Sequence, residues 1–489
     1  MRNQKPNIKQ SLRQHKPLSF VESVLSVGGG TIVTIFSIFL EMMIAVRYLD
    51  EKNYGIYVLL IAVTNFFVMF IDFGYKTSVT QYLASSQYQN KAEIVNTILA
   101  VRIFSILFLS VIILLARNAL AWVDSSMLII QYAVYIPFML AFTSLDELMM
   151  SMLQGIEKFD QIAIASIIRG FLRLALSLVL LTVFHLGIAG LIYSFIISFL
   201  ISAAYQYLVL PIKKTLVVNK KLLWGMAKFG FPLHLSRFLY FVSGRVNIFL
   251  LGTLAGPASV AYFSVAERIP IALQRLSESF IKVFFPRMTN LISENNHQKA
   301  HSLLNHSLAI SSFLMALAAL IAIAFSKFII VVLFTEKYSE THIAFSLMMI
   351  ALQMQFLVQI MGYTLTSAGF PKRSLIENTI RTILTVGLNI IFIPKWGYLG
   401  AVYATLAANY IAYPISIFLL KWSRISVNNR DVLIQTIVLV FCAALFLVTE
   451  SLNIFLSIGI IVLFIVINFL LSTVSIQHLK LIVPEKYLK

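Results

Sequence analysis

Cysteine is almost missing from this chain: Cys442 is the single one in 489 residues. That rules out a disulfide framework and a thiolate metal site, and its place in an apolar run makes it a small core residue. Charge is scarce as well. Asp, Glu, Lys and Arg make up 12% of the residues, against 59% hydrophobic and a mean hydropathy of +0.88, a balance that soluble globular domains do not have. There is no Walker loop, no HExxH helix and no G-x-S-x-G elbow, which excludes ATP hydrolysis and the common zinc-protease and serine-hydrolase chemistries. His297 and His301 lie four apart with His306 nearby, but no acid or thiol cluster accompanies them. They read as a solvated amphipathic connection, and neither a metal nor a cofactor is expected.

What the chain has instead is long apolar runs. A membrane span needs about 20 mostly apolar residues, and candidates fall at 20–47, 54–74, 94–116, 127–152, 161–183, 187–210, 229–251, 258–285, 305–334, 342–367, 374–394, 399–420, 431–449 and 453–472. The expected fold is an all-α integral membrane protein of about 14 transmembrane helices. The apolar stretch after the polar, basic segment 1–19 is too long for a cleavable signal-peptide core and lacks a clear cleavage site, so it reads as a retained first span.

The net charge of +18 matters less than where the charges sit. With the N-terminus inside, the inside segments hold 23 Lys and Arg and the outside loops hold 5. This places both termini in the cytoplasm, supports an even number of spans, and makes a nucleic-acid surface unnecessary.

Short matches recur at an offset of 205 to 214 residues. The polar stripe Gly30, Thr34, Ser37, Glu41 of span 1 is echoed by Ser236, Tyr240, Ser243, Asn247 of span 7. Gly155 and Lys158 match Gly369 and Lys372; Ile168-Arg169 matches Ile380-Arg381; Gly187-x-x-Gly190-x-x-Tyr193 matches Gly397-x-x-Gly400-x-x-Tyr403. A six-helix unit followed by a second in the same orientation gives two lobes related by an axis along the membrane normal. The expected segments are a basic N-terminus at 1–19, an N-lobe at 20–210, a linker at 211–228, a C-lobe at 229–420, a terminal pair at 431–472 and a cytoplasmic tail at 473–489.

Ionisable residues in hydrocarbon cost about 2.5–3.5 kcal/mol each on insertion scales, so they face a cavity or a partner. Span 8 is the richest. Arg268, Arg275 and Lys282 recur every seven residues and form one basic stripe, with Glu278 at intrahelical pairing distance and Glu267 on its border. One reading is a ladder of cations for an anionic headgroup, since the arginine fork suits phosphate. The other is a local ion network that stabilises a polar helix. Arg169 and Arg173 on span 5, and Arg381 at the repeat-equivalent position on span 11, are further candidates for cavity cations or snorkelling residues, and Arg237 lies beside the polar stripe of span 7. Glu41, Asp72 and Glu267 fit counter-ions or ion-coupling groups; Asp72 lies four residues from Lys76, and Glu41 has polar but not basic helix neighbours. Pro270 in mid-span 8 and Gly28-Gly29-Gly30 in span 1 are hinge candidates, although close helix contact also explains the glycines.

Several helix-end motifs carry a family likeness across nearly the whole chain: Arg47-Tyr48-Leu49 with Tyr54-Gly55-Ile56-Tyr57, Asp72-Phe73-Gly74, Gln154-Gly155 with Lys158-Phe159, Phe229-Gly230-Phe231-Pro232, Leu251-Gly252, Ala261-Tyr262, Phe285-Pro286-Arg287 and Gly397-Tyr398-Leu399-Gly400-Ala401. With these the chain resembles the polysaccharide flippase branch of the MATE-like multidrug, oligosaccharidyl-lipid and polysaccharide exporter superfamily. The resemblance implies a non-enzymatic transporter that flips a lipid-diphosphate-linked oligosaccharide (an O-antigen, capsule or exopolysaccharide repeat unit) across the inner membrane by alternating access. It also implies membrane lipids and the pathway's polymerase and glycosyltransferases as partners. Such proteins often carry an acid near Asn247, which is uncharged here, so no coupling role passes to it. The alternatives are a multidrug or cation antiporter of the same fold, against which the basic span 8 argues, and a membrane glycan polymerase or ligase, against which the short outer loops argue.

Overall fold

The computed structural model describes residues 20–85, 90–124, 126–212, 218–448, 454–471 and 473. The basic segment 1–19, part of the expected linker and nearly all of the tail lie outside the described residues, as do Gly28 and the side chains of Arg237 and Lys282.

The described chain is helical throughout. In order the main helices are α1 (Phe20–Tyr48), α2 (Glu51–Asp72), α3 (Tyr75–Ala84), α4 (Lys91–Leu115), α5 (Ile136–Gly155), α6 (Phe159–Thr182), α7 (Gly187–Val209), α8 (Lys220–Ser293), α9 (His297–Ala324), α10 (Ser326–Phe334), α11 (Thr341–Ser367), α12 (Pro371–Trp422), α13 (Arg430–Val448) and α14 (Ile454–Leu470). Among the described residues nine helices are long and apolar enough to cross a membrane, so this is a multi-pass membrane protein. Nine is fewer than the fourteen expected, in part because some helices run on through a break. The 52 residues of α12 would make a rod of about 78 Å, more than twice the hydrocarbon thickness, and Gly397 interrupts it with φ 54 and ψ −131. Gly256 interrupts α8 in the same way with φ 79 and ψ 174.

The chain forms two compact units, one up to Ala261 and one from Tyr262 onward. In the first, α1 lies along α6, α6 along α7, and α3, α4 and α7 pack on α5. The N-terminal part of α8 belongs to this unit because bare backbone meets bare backbone there. A β-carbon on Gly230 would sit 2.4 Å from the Gly74 carbonyl oxygen, and one on Gly55 would sit 1.8 Å from the Pro257 carbonyl oxygen. Ser78 Oγ also donates to the Met226 carbonyl at 2.7 Å. The motifs Asp72-Phe73-Gly74 and Phe229-Gly230-Phe231 are thus two halves of one contact. Phe73 and Gly74 are both left-handed, which turns the chain sharply from α2 into α3.

In the second unit α11 packs on α9 and α12, and α13 packs on α9, around Leu304, Leu308, Phe356, Leu357 and Leu420. Tyr262 contacts the rings of Tyr338 and Tyr398, which gives the Ala261-Tyr262 and Gly397-Tyr398 motifs a shared packing role.

Repeat-matched residues share local backbone form in one place and differ in another. Gly187 and Gly397 have φ 57 and φ 54, each leading into a helix. The Gly155–Gly369 match does not hold structurally: the left-handed residue between α5 and α6 is Glu157 (φ 59), and its counterpart between α11 and α12 is Gly369 (φ 83). Helices start two residues later in each case, at Phe159 and Pro371, so the true register brings Lys158 opposite Phe370.

Candidate functional site

Small residues first bring α1 and α6 together. A β-carbon on Gly30 would lie 3.0 Å from Ala163 Cα, and one on Gly170 would lie 3.1 Å from Ser37 Oγ, while Thr34 Oγ1 donates across to the Ser166 carbonyl at 3.1 Å. The polar stripe of span 1 is therefore an interhelical seam, and Gly30 serves close contact. α1 is unbroken through this region.

At the end of the seam sits a buried triad. Arg173 Nε pairs with Glu41 Oε2 at 2.6 Å, Tyr57 Oη donates to Glu41 Oε1 at 2.8 Å, and Arg173 Nη2 donates to Tyr57 Oη at 3.0 Å. The Arg173 guanidinium also lies over the Phe195 ring at 4.9 Å. Four helices, α1, α2, α6 and α7, converge on this one cation.

Two more ion pairs repeat the pattern. Arg102 Nη2 meets Asp72 Oδ1 at 3.1 Å with both side chains 2% exposed, and Arg102 Nη1 donates to Ser144 Oγ at 3.2 Å, so α2, α4 and α5 are joined. Arg169 pairs with Asp146, whose Oδ1 also accepts from Ser202 and from Gln206 Nε2, joining α5, α6 and α7. Buried charge needs a partner of this kind, because ionised groups left alone in low dielectric cost several kcal/mol.

These contacts give the sequence candidates their partners. Glu41 is ion-paired with Arg173. Asp72 is ion-paired with Arg102 and, of Lys76, accepts the backbone N–H at 3.1 Å; the Lys76 ammonium goes to Glu147 at 2.6 Å. Arg169 and Arg173, both candidates for cavity cations, are each ion-paired within the first unit. Arg102, which no sequence pattern assigned, is as central as either. Its signal was only its presence in an apolar run.

In the second unit the repeat-equivalent Arg381 is held differently, by Glu377 one turn before it at 3.4 Å and by Asn378 Oδ1 at 2.8 Å. On α8, Arg268 and Glu267 are half-buried, whereas Arg275 and Glu278 are exposed. Pro270 is buried within the helical run, and the non-helical residue in that helix is Gly256. Seven residues at 1.5 Å each put Arg275 about 10 Å along the axis from Arg268.

Among the described residues no group of three His, Cys, Asp or Glu side chains is placed to hold a metal. His301 and His306 lie on α9 and line a polar cavity of about 380 Å³ with Gln298, Ser302, Asn305, Asn428 and Asp431.

Residues 44–343 match the family described as polysaccharide biosynthesis protein. Over 374 residues the chain is 22% identical to a protein of Haloferax volcanii named as the low-salt glycan biosynthesis flippase Agl15, covering 75% of this chain and 76% of that one. Over 257 residues it is 25% identical to a protein of Escherichia coli K12 named as an O-antigen transporter, covering 51% of this chain and 60% of that one. Its fold is similar to that of the lipid II flippase MurJ in an inward closed conformation, with a TM-score of 0.70 at 17% identity over 90% of this chain and 97% of that one. It is also similar to an inward-facing MATE multidrug transporter, with a TM-score of 0.65 at 16% identity over 82% and 97%. At such identities the structures speak for the fold alone. The family match spans well over half of the sequence, and the chain belongs to the polysaccharide biosynthesis protein family.

Proposed function

We propose that this protein flips a lipid-diphosphate-linked oligosaccharide, such as an O-antigen, capsule or exopolysaccharide repeat unit, from the inner to the outer leaflet of the cytoplasmic membrane. In this reading fourteen spans form two six-helix lobes and a terminal pair, both termini are cytoplasmic, and the lobes alternate in access. The diphosphate meets Arg268, Arg275 and Lys282 of span 8, with Arg237 alongside. The sugars fill the transport cavity and the tail stays in lipid. The relatives named as a glycan biosynthesis flippase and an O-antigen transporter support transport rather than catalysis as the class of activity.

The observation that carries this reading is the basic stripe of α8, where Arg268 and Arg275 lie about 10 Å apart along the axis, in a chain similar to proteins named for glycan flipping and O-antigen transport. In the first unit, Arg102, Arg169 and Arg173 are matched by Asp72, Glu41 and Asp146 in buried pairs. Those pairs support a first lobe that moves as one body. On α8, Arg268 is half-buried and Arg275 exposed, and the planar arginine fork suits a phosphate ligand. A cationic drug would be repelled there, so the antiporter reading is the weaker one.

The test is reconstitution in liposomes with a fluorescent diphosphate-linked glycan, comparing the natural protein with Arg268→Ala and Arg275→Ala. Flipping is expected to fall at least tenfold in each variant, as the loss of a charge-assisted contact worth about 1.5–3 kcal/mol implies. Undiminished flipping in both refutes the span 8 assignment, and drug efflux without glycan movement refutes the cargo.

A further inference from the structure

A second basic site lies at the end of α12 that brings its two ends together. The Arg373 guanidinium lies over two rings, with its carbon 4.4 Å from the Phe370 centroid and 4.6 Å from the Trp422 centroid. Its Nη1 donates to Ser423 Oγ, which in turn donates to the Leu419 carbonyl at 2.8 Å. The two cation–π contacts and this hydrogen bond hold the side chain in one place. Five N–H donors lie in the guanidinium plane, and the Ser423 bond uses one. A fork held this way is prepared for a bidentate phosphate, because the rotamer entropy of the side chain is already spent.

The surroundings match in charge and in polarity. Lys372, Lys421 and Arg424 are exposed beside this arginine. No Asp or Glu occurs in 368–376 or in 411–430. The acids just beyond are Glu377, which is buried against Arg381, and Asp431, which lines the polar cavity of α9. Next to these cations the surface is apolar: Trp422 is 58% and Phe418 64% exposed, with their rings in contact, and Leu375 is exposed as well. Cations at the level of an exposed tryptophan, above exposed aliphatic and aromatic side chains, reproduce the layering of a phospholipid from headgroup to acyl chain.

We propose that Arg373, with Lys372, Lys421 and Arg424, forms a binding site for the headgroup of an anionic phospholipid whose acyl chains lie on Trp422, Phe418 and Leu375. The occupant is a bilayer lipid and not the transported glycan lipid. The site is complete within the second unit and does not depend on the cargo assigned above.

The test uses the full-length protein with Trp122→Phe, Trp224→Phe and Trp396→Phe, which leaves Trp422 as the reporter, reconstituted in phosphatidylcholine containing phosphatidylglycerol. Quenching of Trp422 is compared when the brominated acyl chains are on one lipid or on the other. Brominated phosphatidylglycerol is expected to quench several-fold more effectively at equal mole fraction, and Lys421→Gln or Arg373→Gln should each lower that preference about fivefold at low salt, the effect of one cation at an anionic surface. Arg373→Lys keeps the charge but loses the planar fork, and should lie between the two. Quenching by brominated phosphatidylcholine that is kept or rises as phosphatidylglycerol is lost from the site shows that each variant is folded and inserted. Equal quenching by both lipids overturns the proposal, as does a preference that survives both glutamine substitutions. Displacement of phosphatidylglycerol by a diphosphate-linked glycan at one copy per protein also overturns it, by giving the site to the cargo.

Discussion

Replacing Arg173 by methionine removes the one cation that faces Glu41 and leaves a carboxylate 2% exposed with the Tyr57 hydroxyl as its remaining partner at 2.8 Å. Breaking a buried pair from one side costs about 3–5 kcal/mol, because the orphaned charge keeps its full desolvation penalty. Exchanging both partners for apolar residues of similar volume is often neutral. The interhelical hydrogen bond alone is a smaller matter, since such bonds in membrane proteins average about 0.6 kcal/mol. The expected order is therefore Arg173→Met far below the natural protein, Tyr57→Phe slightly below it, and the double variant Glu41→Leu/Arg173→Met between them and nearer to Tyr57→Phe. For a unit of this size each kcal/mol moves the melting temperature by about 2–4 °C, so Arg173→Met should lose at least about 6 °C and the double variant should recover most of it. Detergent-solubilised protein followed by fluorescence-detected size exclusion after stepwise heating reads this order directly. If the double variant is as labile as Arg173→Met, the loss comes from packing around the guanidinium and the ion-pair argument fails.

Three other outcomes follow from the same geometry. Arg102→Met should destabilise by several kcal/mol, whereas Lys76→Met should change stability by less than about 1 kcal/mol, because the Lys76–Glu147 pair is 22% and 36% exposed and such pairs are weak; heating curves of the two variants side by side decide it. Gly55→Ala should cost about 3 kcal/mol or more, since its β-carbon would meet the Pro257 carbonyl oxygen at 1.8 Å and backbone cannot yield as a side chain does. Gly29→Ala, which meets nothing within 4 Å, should be neutral or slightly stabilising in the same assay. Gly397→Ala should cost about 1–3 kcal/mol through its backbone angles alone, and a loss no larger than that of Gly387→Ala, an unstrained helical position with open space, would show that the break relaxes.

The sequence by itself determined that the chain is helical and that it lies in a membrane. Long apolar runs admit no other spanning structure, because each helix satisfies its own backbone, and turns such as Phe73-Gly74 and Gly187 sit where the chain must reverse. Gly187 and Gly397, matched in the sequence, both have positive φ, an angle that few residues other than glycine adopt. The sequence did not yield the pairing of charges. Arg102 and Asp72 are 30 residues apart, Arg173 and Tyr57 are 116, and Arg373 and Ser423 are 50. On a helix apolar all round, with lipid as hydrophobic as the protein interior, periodicity does not mark which side faces a neighbour. Only the packing of α1 on α6, set by Gly30 and Gly170, decided that Glu41 meets Arg173, and only the return of α12 to its own beginning decided that Arg373 reaches both Phe370 and Trp422.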